Sequence, residues 1–259
     1  LLPSDQLVDI ITHLRARFPA IERITSYARS KTLAKKTPDE LAALRVAGLT
    51  RLHLGMESGC DEVLSCIDKG VTADEHITAG RNVMAAGFDL SEYYMPGIGG
   101  RERWRENAIE SARVLSAINP TFIRLRSAVP LPGTGLHDAM QRGEWTPLTE
   151  EEKIHEIRLF LEHLDGATGT VKSDHMMNLI EDMEGELPAD RDSMTGLLDR
   201  FLAMDESDRE SFIIGRRIGQ FRFLSDYRRM PELEQLKAEL KRRFGTLDAA
   251  ILEILRNFI

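Results

Sequence analysis

Four short stretches carry side chains and glycines that could do chemistry. Glu57 and Ser58 sit in Gly55-Met56-Glu57-Ser58-Gly59, directly after the strand-like Thr50–Leu54. A carboxylate beside a hydroxyl at the end of a strand can hold an amine or a ribose; the same pair can instead cap the helix that Asp61 opens. Met95-Pro96-Gly97-Ile98-Gly99-Gly100 follows a second strand. Glycines at 97 and 99 let the backbone approach a flat ring without a Cβ in the way. A phosphate nest and a plain tight turn are the other readings of this loop. Arg124 and Arg126 flank Leu125, so on a strand both arginines point to one face. If that face is enclosed they need anionic partners, either a ligand carboxylate or a salt bridge to a neighbouring element. Ser127 ends the same strand. The last stretch is Ser173-Asp174-His175. An aspartate can orient an imidazole, but adjacent strand residues face opposite ways, and Asp174 also suits a helix N-cap.

Other chemistries find little support. Two cysteines, Cys60 and Cys66, rule out a disulfide framework and a four-cysteine zinc site. The histidines show no metal-ligand spacing; His155 and His163 are eight residues apart with no third partner. No metal ligand set is assigned. The net charge of −8 does not indicate a nucleic-acid-binding surface. No apolar run approaches the roughly 18 residues of a membrane helix, so a soluble, cytoplasmic chain is expected. Tyr93 and Tyr94 are consecutive on a strand, so one faces inward whichever way the sheet packs. Core packing is the plainer role for both, and a place beside the reacting group is the other reading for whichever faces the site.

These residues need elements to position them. At 259 residues, with 42% hydrophobic and 29% charged residues, the chain can bury a substantial core. Strand-like segments recur at Ile21–Ala28, Thr50–Leu54, Asp89–Met95, Pro120–Ser127 and Thr170–Ser173, with helical patterns between them. The alternation predicts an α/β fold with a parallel sheet. In such sheets chemistry gathers at the carboxyl ends of the strands, where the four stretches fall. From about His175 the strand signal stops and helical patterns take over. Lys237, Lys241, Arg242 and Arg243 form a basic cluster there, read as a solvated face or, alternatively, a patch for RNA or an acidic partner.

Taken in order, Leu52–Gly59, Tyr93–Gly100, Phe122–Ser127 and Ser173–Leu179, with the trailing Glu184–Arg191, resemble radical S-adenosylmethionine (SAM) enzymes. The resemblance is to the coproporphyrinogen-dehydrogenase-like and Elongator-like branch and covers roughly residues 1 to 195. It implies an incomplete parallel (β/α) partial barrel of radical SAM type, over 1–175, followed by a helical C-terminal region, 176–259. It also implies a [4Fe–4S] cluster, SAM, a 5′-deoxyadenosyl radical acting on a substrate of unknown class, and an external electron donor. Glu57, Ser58, Met95, Gly97, Gly99, Arg126 and Ser127 would then face SAM, while Arg124 and His175 would face substrate.

The family's cluster loop, Cys-x3-Cys-x2-Cys, is missing from these residues. Under the resemblance Ile21–Ala28 is the third barrel strand, and the chain is expected to be N-terminally truncated, inactive alone and poorly soluble because its first strand is a bare edge. Alternative readings are a cluster-less (β/α) scaffold whose helical tail does the work, and a phosphate-ligand-binding protein.

Overall fold

The computed structural model describes residues 2–257. Helix α1 (Ser4–Arg17) leads to strand β1 (Ile24–Ala28), the single-turn α2 (Ser30–Leu33), α3 (Pro38–Ala47) and β2 (Leu49–Glu57). Then come α4 (Asp61–Cys66), α5 (Ala73–Ala85), β3 (Asp89–Tyr94), α6 (Gly100–Ile118) and β4 (Phe122–Leu125). They are followed by α7 (Gly135–Gln141), α8 (Glu150–Glu162), β5 (Thr170–Lys172) and β6 (Glu184–Glu186). The remaining helices are α9 (Arg191–Leu202), α10 (Glu206–Arg217), α11 (Pro231–Phe244) and α12 (Leu247–Arg256). Helices α3, α5 and α8 start at capping boxes in which Thr37, Thr72 and Thr149 exchange hydrogen bonds with Glu40, Glu75 and Glu152. Each such cap contributes about 1 kcal/mol and fixes where the helix begins.

The sheet runs β1-β2-β3-β4-β5-β6 in chain order. The first five strands are parallel, and β6 is antiparallel to β5. Sequential order with crossovers of one hand gathers the helices on one side of a parallel sheet. Alternate residues record this. Leu52, Leu54, Leu90, Tyr94, Ile123, Leu125 and Val171 are buried in the main core. Their neighbours Arg51, His53, Phe122, Arg124 and Lys172 are only half-buried. Burial of each aliphatic side chain on the helical side is worth roughly 1.5–3 kcal/mol. The other face is the polar wall of a partial barrel. The expected α/β partial barrel with a helical region after it is what the chain forms.

Several elements differ from expectation. Strand β2 continues through Glu57 rather than stopping at Leu54, because β3 pairs with it as far as Tyr94. Residues 173–180 form turns, so Asp174 caps no helix. A sixth strand appears after the strand signal was expected to end. Its Glu-Gly-Glu sequence has no β-branched residue to announce it. It pairs because Gly185 lies against Asp190 while Glu184 reaches Lys172 on β5. The basic cluster is partly consumed internally: Lys237 is buried against Glu234 and Glu210, and Lys241 bonds Glu210 at 2.6 Å.

The helical region is tied to the barrel by a buried ion network. Glu150 at the start of α8 binds Lys153 at 3.1 Å and Arg217 of α10. Burial alone would raise the Glu150 carboxyl, but the two cations outweigh it and hold it at about 2.

Candidate functional site

The ladder hydrogen bonds do not stop where the strands end. Met95 N–H donates to the Glu57 carbonyl at 2.9 Å, Arg126 N–H to the Tyr94 carbonyl at 2.9 Å, and Ala128 N–H to the Pro96 carbonyl at 2.8 Å. Three consecutive strand ends therefore run on side by side, and Glu57, Met95 and Arg126 come together at the carboxyl edge. Glu57 has φ 65°, a left-handed conformation that costs a non-glycine residue about 1–2 kcal/mol. Its carboxylate folds over Gly55, where any Cβ would collide with it, and binds Lys69 at 3.0 Å. Ser58 is fully buried, with its hydroxyl accepting the Cys60 N–H at 3.0 Å. Its hydroxyl therefore shapes the turn.

The glycine loop is held from behind by Glu156 of α8. This carboxylate is fully buried and accepts from Tyr94 Oη at 2.8 Å, Gly97 N at 2.7 Å and Asn107 Nδ2 at 2.6 Å. Burial pushes it up to about 7. Gly97 has φ +88°, and Gly99 lies so close to the α6 backbone that a Cβ would sit 2.9 Å from the Arg103 carbonyl. Both glycines are thus required by the protein's own packing. Glu102, the nearest acid after the loop, accepts the Thr146 N–H at 3.2 Å. The loop's flanks are hollow. One cavity of about 350 Å³ reaches from Gly97 and Ala128 to Leu255, and another of about 680 Å³ lies between Gly99, Leu136 and Cys66.

The open face of the sheet carries an aromatic and cationic wall. The rings of Tyr27, His53 and Tyr93 stack with centroids 5.1 to 6.2 Å apart. The Arg126 guanidinium lies over the Tyr93 ring at 4.7 Å. Phe122 sits under Arg51 at 4.6 Å and under Arg124 at 5.8 Å. Arg124 pairs with Asp174, and Arg51 pairs with Asp89 at 3.1 Å. Burial, followed by the charges of Arg124, Arg51 and Arg126, lowers the His53 pKa. Burial and then the Arg126 charge lower the His175 pKa, with Asp174 opposing them.

Ser127 is committed to Asn178, donating from both N–H and hydroxyl to Oδ1 at 3.0 Å. Asn178 in turn donates to the carbonyls of Leu125 at 3.0 Å and Ser173 at 3.1 Å, which links the ends of β4 and β5. The sequence-derived residues Glu57, Met95, Arg124, Arg126 and His175 therefore share the carboxyl edge and polar wall, while Ser58, Gly97, Gly99 and Ser127 shape it. Sequence reasoning missed Glu156 and Asn178. The available signal for Glu156 was a charged residue amid the apolar face of α8, beside Ile157 and Phe160.

A [4Fe–4S] cluster of the expected kind needs three thiolates, and the residues present do not fit it. Cys60 is buried, its thiol pushed up by burial, while Cys66 is exposed. Among the described residues no group of three His, Cys, Asp or Glu could hold a metal ion. None of their helices is long and apolar enough to cross a membrane.

No family model matches the chain. Two curated proteins named tRNA uridine(34) acetyltransferase, from Methanocaldococcus jannaschii and Methanocaldococcus infernus, are each 26% identical over 119 residues. The match takes in 46% of this chain and 22% of theirs, so the chain spans about a fifth of the length of these relatives. Among solved structures, the Elp3 of Methanocaldococcus infernus with an N-terminal deletion superposes with TM-score 0.50 at 19% identity, over 70% of this chain and 41% of that one. Coproporphyrinogen III oxidase (HemN) from Escherichia coli, a radical SAM enzyme, gives TM-score 0.51 at 17% identity, over 64% and 38%. The chain has the α/β partial-barrel fold of these two structures, and the resemblance to the coproporphyrinogen-dehydrogenase-like and Elongator-like branch expected from the motifs is borne out as a likeness of fold, with a 26% identical stretch in the curated relatives.

Proposed function

We propose that this chain forms the SAM- and substrate-facing strands of a radical SAM enzyme. The carrying observation is the alignment of Glu57, Met95 and Arg126 at three adjacent strand ends by ladder hydrogen bonds that resume past a register shift between Gly55 and Glu57. SAM is the source of the 5′-deoxyadenosyl radical in such enzymes. The donor set suits it: the Glu57 carboxylate for its amino group, the backbone from Met95 to Gly99 for its adenine, and Arg126 with the main chain at Ser127 for its carboxylate. Arg124, on the strand that leads to Arg126, and His175, just past the next strand, take the substrate. The cluster that cleaves SAM would be held by cysteines this chain does not carry, and its one-electron donor is a separate protein.

The substrate reading follows the relatives. They are named for tRNA uridine, and the polar wall supplies Arg126 over the stacked rings, with Arg51 and Arg124 paired to Asp89 and Asp174 beside it. A local basic wall serves an anionic ligand even in a chain of net charge −8. The test is calorimetric titration of the whole chain with SAM. Uptake is expected, and Glu57→Gln should weaken it about tenfold, or about 1.4 kcal/mol. A chain that takes up no SAM, or that binds it equally well without the Glu57 charge, overturns the reading.

A further inference from the structure

Three parts of the chain wall the cavity of about 350 Å³ beside the glycine loop. They are Gly97 and Ala128 at the strand ends, the stretch from Trp145 into the first turn of α8, and α12. Small-molecule sites usually measure about 300–1,000 Å³, so this one suits a short guest. Ala128, Leu148, Ile251 and Leu255 give it an apolar lining. The walls are fixed by the protein's own bonds. Trp145 Nε1–H donates to the Ile98 carbonyl at 3.0 Å, and Arg256 pins α12 to the Pro130 carbonyl at 3.2 Å.

One charged side chain breaks that apolar lining. Lys153 is 7% exposed, and its stem runs past Gly97, where a Cβ would sit 3.2 Å from Lys153 Cε. An ammonium carries three donors, yet among the described residues Lys153 Nζ bonds only Glu150, at 3.1 Å. Glu150 is shared with Arg217, so one buried carboxylate serves two buried cations. The next carboxyl on α8, Glu156, has its oxygens occupied by Tyr94, Gly97 and Asn107, and burial holds it up at about 7. The other charges lie at the rim: Arg101 pairs with Glu152 at 2.9 Å, and Asp248 is exposed. A buried cation short of counter-charge is costly, and an anion in the cavity would supply the missing charge.

We propose that this cavity binds a small organic carboxylate, its charged end on the Lys153 ammonium and its short apolar body against Ala128, Leu148, Ile251 and Leu255. Binding is reversible and breaks no bond. It requires neither SAM nor a cluster and goes beyond the function proposed above.

Hexanoate, 1-hexanol and hexylamine share a tail and differ at the head, so the three are titrated separately into the whole chain and followed by amide and methyl NMR. Hexanoate should shift the signals of Ala128, Leu148, Ile251 and Leu255 and bind about tenfold more tightly than hexanol, with hexylamine the weakest. Lys153→Met keeps the bulk of the stem and leaves Glu150 paired with Arg217. It should erase the preference for hexanoate over hexanol while both still shift the same methyl groups. The wild-type comparison decides the matter even if that variant does not fold. Equal affinity for hexanoate and hexanol, no uptake of hexanoate, or shifts confined to other residues would each overturn the proposal. Tighter binding of hexylamine would do so too, because the rim carboxylate of Asp248 would then govern the site, and so would a carboxylate preference that survives Lys153→Met. These titrations contain no SAM. A chain that takes up hexanoate but not SAM refutes the enzyme assignment and leaves this site standing, and the opposite result does the reverse.

Discussion

Glu156 receives hydrogen bonds from Tyr94, Gly97 and Asn107, and burial still keeps its carboxyl at about 7. The ionised form is too costly to desolvate even with that company. A carboxyl raised in the folded state binds its proton more tightly than in the unfolded chain. Its contribution is therefore full below the usual 4.5 and is lost as pH rises through about 7. The interval corresponds to about 3 kcal/mol. His76, pushed down to about 4 by burial, acts oppositely and gains as pH rises toward 6.5. The informative measurement is thus the difference between the wild type and Glu156→Gln in urea unfolding. The wild type should lose on the order of 3 kcal/mol relative to the variant across that window, and parallel curves would refute the assignment. At this scale the sequence was legible where side chains alternate on a strand, as at Arg124 and Arg126. It was silent where a lone polar residue works through tertiary contacts, as at Glu156.

Strand ends, more than strands, are what the loops of this sheet hold in place. Asn178 spans β4 and β5 with one amide, bonding Ser127, Leu125 and Ser173. Asn178→Ala leaves buried groups unpaired at about 1 kcal/mol or more each. A loss of about 2–4 kcal/mol is expected in chemical denaturation, together with faster hydrogen exchange at Ser127. Gly97→Ala should cost about 1–2 kcal/mol and weaken SAM uptake, since a residue at φ +88° must also push against Lys153. Titration of that variant with SAM checks it. The five parallel strands were readable because their apolar residues recur between capped helices. Strand β6 was not, because nothing in Glu-Gly-Glu favours extension until Lys172 and Asp190 are in position. The turns at 173–180 escaped for the same reason: Asp174 finds its partner in Arg124, fifty residues earlier in the chain.

The helical region and the barrel meet through charges as well as through apolar packing. Arg217 and Lys153 flank Glu150, and all three are buried. Removing one partner strands a charge, so Arg217→Ala should destabilise the protein by about 3–5 kcal/mol. The stability that Glu150 contributes is present above 4.5 and lost as pH falls through about 2. The variant should accordingly lose much of its acid sensitivity in that range, which thermal melts at low pH would show. The order of the architecture, a parallel α/β sheet then helices, followed from periodicity, while the barrel came only from the family resemblance. The joint between them did not, because Glu150 and Arg217 are 67 residues apart and each reads as an ordinary surface charge in its own helix.

On the face away from the helices, the rings of Tyr27, His53 and Tyr93 line up with Arg126 over Tyr93. A guest that offers one flat, negatively charged edge meets stacking and charge together along that row, and high salt should loosen its hold.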